Sequence, residues 1–351
     1  VSDLRPTDPQ QGTGNLAMSP TPQQQLNQLI CGYWYSQCVY VAAKLGIADL
    51  LANGPQSVDD LAKQTGTHRP SLFRLLRALA SLGVFAEEPG QRFAMTPTAE
   101  PLRRDVSGSQ WAMAVMMGEE HFRAWAELLY SVRTGKIAFD KVFGQPVFEF
   151  LSQNPEQAAI FDKAMVGVHG RETSAMLDVY DFSNFTSVAD IGGGNGSTLS
   201  GILKRHPRIH GTLFDLPGVI QRAGAAVEAA GLSDRVHLVA GDFFEAVPGG
   251  VDAYVLRHII HDWDEEKATR ILSNVRQAIG EDGRLLVVES VIPPGNEPFF
   301  GKLLDVTMLV IPGGQERTEQ EYRDLFGKAG FRLARIVPTA TEVSVIEGVP
   351  A

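Results

Sequence analysis

The chain has 351 residues, 44% of them hydrophobic, and a formal net charge of −10. That length allows two or three domains with substantial cores. The acidic balance argues against a chain selected mainly to bind nucleic acid or an anionic membrane, and no apolar run approaches the ~18 residues of a transmembrane helix.

Residues 1–22 are rich in Pro, Gln, Thr and Gly and read as a disordered leader without the charged and apolar regions of a signal peptide. Met18 is a candidate start, which makes the first 17 residues an extension. Residues 23–51 read as helical and unusually apolar. Tyr33, Trp34, Tyr35, Val39, Tyr40, Val41, Leu45, Ile47, Leu50 and Leu51 cannot share one face of a 3.6-residue period. Cys31 and Cys38 are seven apart, which puts them on one helix face as buried, reduced thiols of a cytoplasmic protein.

Ser57 followed by Asp60 predicts a capping-box-like helix start. Thr65-Gly66-Thr67 is a turn, and residues 69–82 form a second helix with Leu72, Phe73, Leu75, Leu76 and Leu79 inward. Residues 84–87 and 92–95 flank Pro89-Gly90 as a hairpin. Helix, turn, helix, hairpin is a winged-helix arrangement. Arg69, Arg74 and Arg77 on its second helix would suit a DNA-binding regulator, yet arginines spaced this way usually form a solvated face. Residues 109–180 are predicted mostly helical and rich in Met and Phe. Most of these side chains are expected core, while Met116, Phe122 and Met165 are candidates to roof a pocket for a flat apolar ligand.

Residues 181–351 alternate strand and helix, the pattern of a doubly wound α/β sheet. A buried strand ending at Asp190 runs into Gly192, Gly193, Gly194 and Gly196, and a helix begins near Ser197. Glycines let a ligand approach the backbone closely, and amides at the helix start can meet a carboxylate or phosphate. The dinucleotide pattern G-x-G-x-x-G fails here, because its third position is Ser197 or Leu199, and no Walker lysine follows. A second strand ends in Asp215 and a third, residues 236–244, in Asp242 beside Phe243. Acids at three strand ends, without Lys or Arg, suit an adenosine lacking phosphates, and Asp215 can accept both ribose hydroxyls.

The fourth strand, residues 253–257, leads directly into His258, His261, Asp262 and Trp263, which should face the site at the carboxyl end of the sheet. A helix follows over residues 265–279 with Ala268, Ile271, Leu272, Val275 and Ala278 as its buried stripe. Glu289 ends the fifth strand. Glu316 precedes a capping box, Thr318 to Glu321, which gives it a second reading as a helix-start charge. No cluster of acids or amides at metal spacing stands out.

Five motifs, D-I-G-G-G-N-G, F-D-L-P, G-D-F-F, R-H-I-I-H-D-W-D and P-G-G-Q-E-R-T, occur in this order. Over about residues 22–348 the chain resembles the plant-type small-molecule O-methyltransferases, which include caffeate, isoflavone, acetylserotonin and anthracycline enzymes. The resemblance implies a Rossmann-like methyltransferase domain over residues 181–351 and an N-terminal winged-helix dimerisation domain over residues 23–108. Residues 109–180 would be a helical linker contributing to the acceptor pocket. It further implies S-adenosylmethionine as cofactor, metal-free chemistry, a homodimer, and a hydroxylated aromatic or polyketide-like acceptor.

By the same resemblance His261 is the general base, Glu289 and Glu316 are the acids beside it, Asp262 assists, and His258 is structural. Asp190, Gly192 and Gly194 belong to the cofactor site at its methionine portion. Asp215 holds the ribose, Leu216, Asp242, Phe243 and Trp263 surround the adenine, and Arg257 stands where plant members carry Lys. Met308 matches a position that packs on the acceptor ring. Plant members carry Asn before Pro-Gly-Gly, whereas residues 308–312 here are apolar and one residue shorter, so a phenylpropanoid acceptor does not follow. Two rival readings remain: a relative that keeps the cofactor site but hydroxylates or decarboxylates, and a winged-helix ligand-sensing regulator.

Overall fold

The computed structural model describes residues 20–351, the side chains at 168 and 169 excepted. Met18 and most of the expected leader lie outside the described residues. The N-terminal region comprises α1 (Pro22–Ile30), α2 (Gly32–Lys44), α3 (Ile47–Leu51), β1 (Gln56–Ser57), α4 (Val58–Thr65), α5 (Arg69–Ser81), β2 (Phe85–Glu88) and β3 (Arg92–Met95). The helical stretch expected over residues 23–51 is thus three helices. Cys31 ends α1, and Gly46, at a φ of 68°, turns the chain into α3, a conformation glycine adopts without strain. Cys31 falls at a helix junction and Cys38 inside α2, both half-buried, so the expected shared, buried face is not formed.

Ser57 caps α4 by accepting from the Asp60 amide, but its hydroxyl also donates to the Asp60 carboxylate. The acid is thereby kept from completing a reciprocal box. In α5, Leu72, Leu76 and Leu79 are buried, with Phe73 and Leu75 only partly so. The strands β1, β3 and β2 pair antiparallel in that order, completing the winged-helix pattern.

Helices α6 (Trp111–Gly118), α7 (Glu120–Trp125), α8 (Leu128–Thr134), α9 (Ala138–Phe143), α10 (Val147–Gln153) and α11 (Pro155–Val179) follow. The 25-residue α11 contributes Ile160 and Ala164 to the N-terminal core, and Met176 and Leu177 to a core on one face of the large sheet. Met116 is buried in the N-terminal core because α6 is apolar all round and sits between α2 and α11. It is therefore not free to roof a pocket, contrary to expectation. Met165 also packs on that core, and Phe122 of α7 turns toward Tyr33 of α2, 6.4 Å between ring centres.

The C-terminal region comprises β4 (Ser187–Ile191), α12 (Ser197–Arg205), β5 (His210–Asp215), α13 (Pro217–Ala229), β6 (Val236–Ala240) and β7 (Ala253–Arg257). It continues with α14 (Glu265–Ala278), β8 (Arg284–Ser290), α15 (Gly301–Val310), α16 (Glu319–Lys328), β9 (Phe331–Pro338) and β10 (Val343–Pro350). Among the described residues these strands form one seven-stranded sheet in the order β6-β5-β4-β7-β8-β10-β9, with β10 antiparallel to both its neighbours and the rest parallel.

Strand side chains alternate faces. Ala189, Ile191, Tyr254, Leu256, Leu285 and Val287 meet α14 and α16, while Val188, Val255, Leu286 and Val288 meet α11, α12 and α13. Burial on both faces explains why these strands read as unbroken apolar runs. The chain leaves β4 toward β5 on one side and returns to β7 on the other. This reversal opens a crevice beyond the carboxyl ends of β4 and β7, where open α/β sheets take their ligands.

Candidate active site

The glycine turn after β4 forms one wall of the crevice. The strand runs to Ile191, one residue further than expected, and Asp190, on the same face as Val188, points into the protein. It is 1% exposed and accepts from the Leu199 amide at 3.3 Å, and burial pushes its carboxyl up to about 6. Asp190 therefore braces the start of α12 beneath the turn and does not face the crevice. The Ser197 amide is likewise taken, by the Asn195 side chain at 3.1 Å. The helix start expected to receive an anion is thus capped from within at both of these amides.

Gly192, Gly194 and Gly196 all have positive φ. A Cβ on Gly192 would strike Ile259, whereas the Cβ direction of Gly194 is open to 4 Å. Close approach of a ligand is therefore available at Gly194. Asp215, at the end of β5, accepts from the Gly194 amide at 2.9 Å and from the Leu216 amide at 2.7 Å, and burial raises its carboxyl. Leu216 beside it is 52% exposed, an apolar surface next to an acid.

The β6 strand stops at Ala240, short of the expected end, and Asp242 lies in the following turn with its carboxylate accepting from the Phe244 amide at 2.8 Å. Phe243, Phe244, Trp263 and Phe148 of α10 form an aromatic group, with Trp263 4.8 Å from Phe244 and 5.7 Å from Phe148 between ring centres. An acid, an open glycine backbone, an exposed Leu and an aromatic wall fit an adenosyl group carrying a short polar chain. These residues would hold S-adenosylmethionine.

The opposite wall is the turn after β7. His258 has a φ of 53°, the left-handed region that non-glycine residues avoid. Beyond it, the amides of Ile259, Ile260 and His261 all point at one oxygen of Glu289, at 3.1, 2.7 and 3.1 Å. The other Glu289 oxygen accepts from the Tyr322 hydroxyl at 2.7 Å. Glu289 thus lies beside His261 but grips the backbone of the turn instead of the imidazole. The ring belongs to Glu316, which is 3% exposed and whose Oε1 lies 2.6 Å from His261 Nδ1. Glu316 is consequently no helix-start charge; Thr318 and Glu321 cap α16 by themselves. Asp262 Oδ1 stands 3.5 Å from His261 Nε2.

Burial alone would lower the His261 ring, but Asp262 and then Glu316 outweigh it and push it up to about 10. Burial, opposed by His261, raises the Asp262 carboxyl to about 7 and raises Glu316 as well.

Sequence reading missed Tyr322, Arg317, Asp305 and Glu172. Arg317, 1% exposed, donates to the carbonyls of Ile260 and Trp263, and Asp305 accepts from the Glu316 amide. A Cβ on Gly314 would collide with the His261 and Asp262 backbone, which explains the glycine at that position. An arginine inside an otherwise recognisable P-G-G-Q-E-R-T run was the available signal. Arg257 and His258 point to α11, where Glu172 Oε2 lies 2.8 Å from His258 Nε2 and Thr173 accepts from Arg257 at 3.2 Å. Met308 of α15 is buried, 8% exposed. Among the described residues no group of three or more His, Cys, Asp or Glu is placed to hold a metal ion, and no helix is long and apolar enough to cross a membrane.

Residues 125–332 match the O-methyltransferase domain and residues 27–105 the O-methyltransferase dimerisation domain. The winged-helix pattern is therefore that of a dimerisation module. The phenazine O-methyltransferase PhzM of Lysobacter antibioticus is 48% identical, over 93% of this chain and 95% of that one. The crystal structure of LaPhzM superposes with a TM-score of 0.92 at 46% identity, covering 95% and 100% of the two chains. NcsB1, an O-methyltransferase from neocarzinostatin biosynthesis solved with S-adenosylmethionine and 2-hydroxy-5-methyl naphthoic acid, gives a TM-score of 0.82 at 32% identity, covering 90% and 96%. Relatives at 38% and 34% identity are named as N-methyltransferases. The chain belongs to the O-methyltransferase family. It is an enzyme, and its cofactor is S-adenosylmethionine.

Proposed function

We propose that this enzyme methylates a hydroxyl of a planar aromatic small molecule, with His261 as the general base and a homodimer as the working form. The supporting observation is the short Nδ1–Glu316 bond within a turn whose three amides are held by Glu289. A carboxylate on Nδ1 accepts that proton and leaves the Nε2 lone pair to take the acceptor's. A phenol ionises near a pKa of about 10, and the basicity of His261 is raised to about 10 by its acids. The proton transfer is then close to balanced, while a ring so raised is free to accept a proton only as pH climbs toward that value.

When bound, S-adenosylmethionine supplies an electrophilic methyl group on a sulfonium. Asp215 holds the ribose hydroxyls. Leu216, Asp242, Phe243 and Trp263 enclose the adenine, and Gly192 and Gly194 admit the methionine portion, with Asp190 supporting the turn from below. Arg257 lies at the same end of the crevice, and Asp262 supports the charged imidazole. The acceptor would pack against Met308, with Phe122 and Met165 contributed by the helices of residues 109–180. The phenazine and naphthoate relatives support an aromatic acceptor. Exposed Leu26, Leu29, Ile30, Tyr33, Trp34 and Tyr35 on α1 and α2 lie in or beside the matched dimerisation domain and support the dimer.

The N-methyltransferase relatives favour a second reading, methylation of an aromatic amine. An amine attacks through a lone pair it already has and needs no base beforehand, so the intact His261–Glu316 pair supports oxygen. The test is mass spectrometry of methyl transfer to matched hydroxy- and amino-substituted phenazines and naphthoates. Transfer to the hydroxy compounds is expected; transfer to the amines alone would overturn the oxygen reading.

A further inference from the structure

Glu172 belongs to no motif, yet it is 7% exposed and lies on α11 at the point where that helix touches the base-bearing turn. The anchor points of α11 in the two cores, Ala164 and Met176, are about 18 Å apart along the helix at 1.5 Å per residue. Glu172 falls between them. Its Oε2 lies 2.8 Å from His258 Nε2 and 3.7 Å from Arg257 Nη1, while the next residue, Thr173, accepts from Arg257. Two consecutive residues of the helix are thereby fastened to Arg257, which ends β7, and His258, which follows it.

The second of these is the strained one. Apart from Gln91 in the β2–β3 hairpin, His258 is the non-glycine residue with positive φ among the described residues. Such a conformation persists only when its surroundings hold it, and it clusters where a chain must be aimed. Its consequence here is visible: immediately after His258 the chain presents three amides to Glu289, and the His261 ring stands 5.0 Å from the His258 ring between centres. Burial, with His261 and Arg257 nearby, keeps the His258 ring uncharged. A neutral ring against a carboxylate carries its proton on the facing nitrogen and donates it, so the bond is directional and fixes the ring.

We infer that Glu172 is a positioning residue. By holding His258 in its left-handed conformation it aims His261, and because it sits on α11 it ties that aim to the N-terminal domain. The inference rests on the reading of His261 as the base.

The experiment compares Glu172→Ala, Glu172→Gln, His261→Ala and the double variant Glu172→Ala/His261→Ala in the full chain. It follows kcat, acceptor KM, affinity for S-adenosylhomocysteine and melting temperature. Misplacing the base should lower kcat of Glu172→Ala by about tenfold to a hundredfold, with acceptor KM and S-adenosylhomocysteine affinity within about threefold of wild type. Glu172→Gln, whose amide oxygen still accepts from His258, should recover most of the rate. Glu172→Ala should cost less than about twofold once His261 is absent, as expected for residues acting as a unit. An unchanged kcat in Glu172→Ala overturns the inference, as does equal loss in the Ala and Gln variants tracking their melting temperatures, or a full loss persisting without His261. A wild-type rate in His261→Ala alone overturns the base assignment and this inference with it. A loss there beside an unaffected Glu172→Ala overturns the inference alone.

Discussion

Two turns face each other across the crevice, after β4 and after β7, and they are built by opposite means. The glycine turn is held by its own neighbourhood in sequence: positive φ at Gly192, Gly194 and Gly196, Asn195 capping Ser197, and Asp190 capping Leu199. Its longer reaches go to the end of the adjacent strand, where the Phe214 carbonyl accepts from the Gly192 amide and Asp215 from the Gly194 amide. The histidine turn has no glycine. Its conformation is imposed from a distance by Glu289 on β8, Glu316 and Arg317 ahead of α16, Tyr322 within it, and Glu172 on α11. A turn that must let a ligand approach the backbone is made from residues without side chains. A turn that must aim one side chain is made from many buried polar contacts, each losing its value if another fails.

Breaking the second turn at its functional end should have the largest effect. His261→Ala should lower kcat by about 10²–10⁴-fold, the usual contribution of a general base, while calorimetric affinity for S-adenosylhomocysteine stays near wild type. A near-wild-type rate would remove the chemical reason for the whole carboxylate scaffold around the ring. The pH profile sharpens the same point. A ring raised to about 10 is protonated below that value and cannot accept a proton. With an acceptor hydroxyl that stays un-ionised, log(kcat/KM) should therefore climb with a slope near +1 from neutral pH toward the raised pKa, roughly tenfold per pH unit. A profile already flat from pH 7 would mean the acids do not raise the ring in the free enzyme.

Breaking the first turn should act on binding. Asp215→Ala removes a charged acceptor, which costs about 1.5–3 kcal/mol and weakens S-adenosylhomocysteine by about tenfold to a hundredfold. The rate at saturating cofactor should change much less. An unchanged dissociation constant would show that the ribose is held by other groups. Smallest of all is the effect expected from a chelator: with His261 as the proposed base, turnover should be the same with and without EDTA. Loss of activity restored by magnesium would place the proton's acceptor elsewhere.

The contrast also decides what could be read in advance. Residues 187–197 announced a ligand turn because its determinants are adjacent, and the strands of the large sheet were legible because burial on both faces makes them continuously apolar. The same reading misjudged Asp190, since alternation along β4 puts its side chain on the face of Val188, against the start of α12. It misjudged Met116, since an apolar residue in a helix flanked on two sides is consumed by packing. Glu289 and Glu316 were recognised as acids of the site, but which of them holds the ring and which the backbone depends on how β8 and the segment ahead of α16 meet the turn.

The sequence by itself determined the glycine turn, the alternation of strand and helix and the helix-turn-helix-hairpin order, because each is carried by local spacing, capping or periodicity. Only the tertiary structure decided which acid bonds which group, that Asp190 lies beneath the turn, and that Tyr322, Arg317 and Glu172 belong to the site at all. Apart from Asp190 with Leu199, those contacts join residues from 28 to 86 positions apart. No local pattern specifies them; they follow from which strands and helices lie side by side once the two cores have formed.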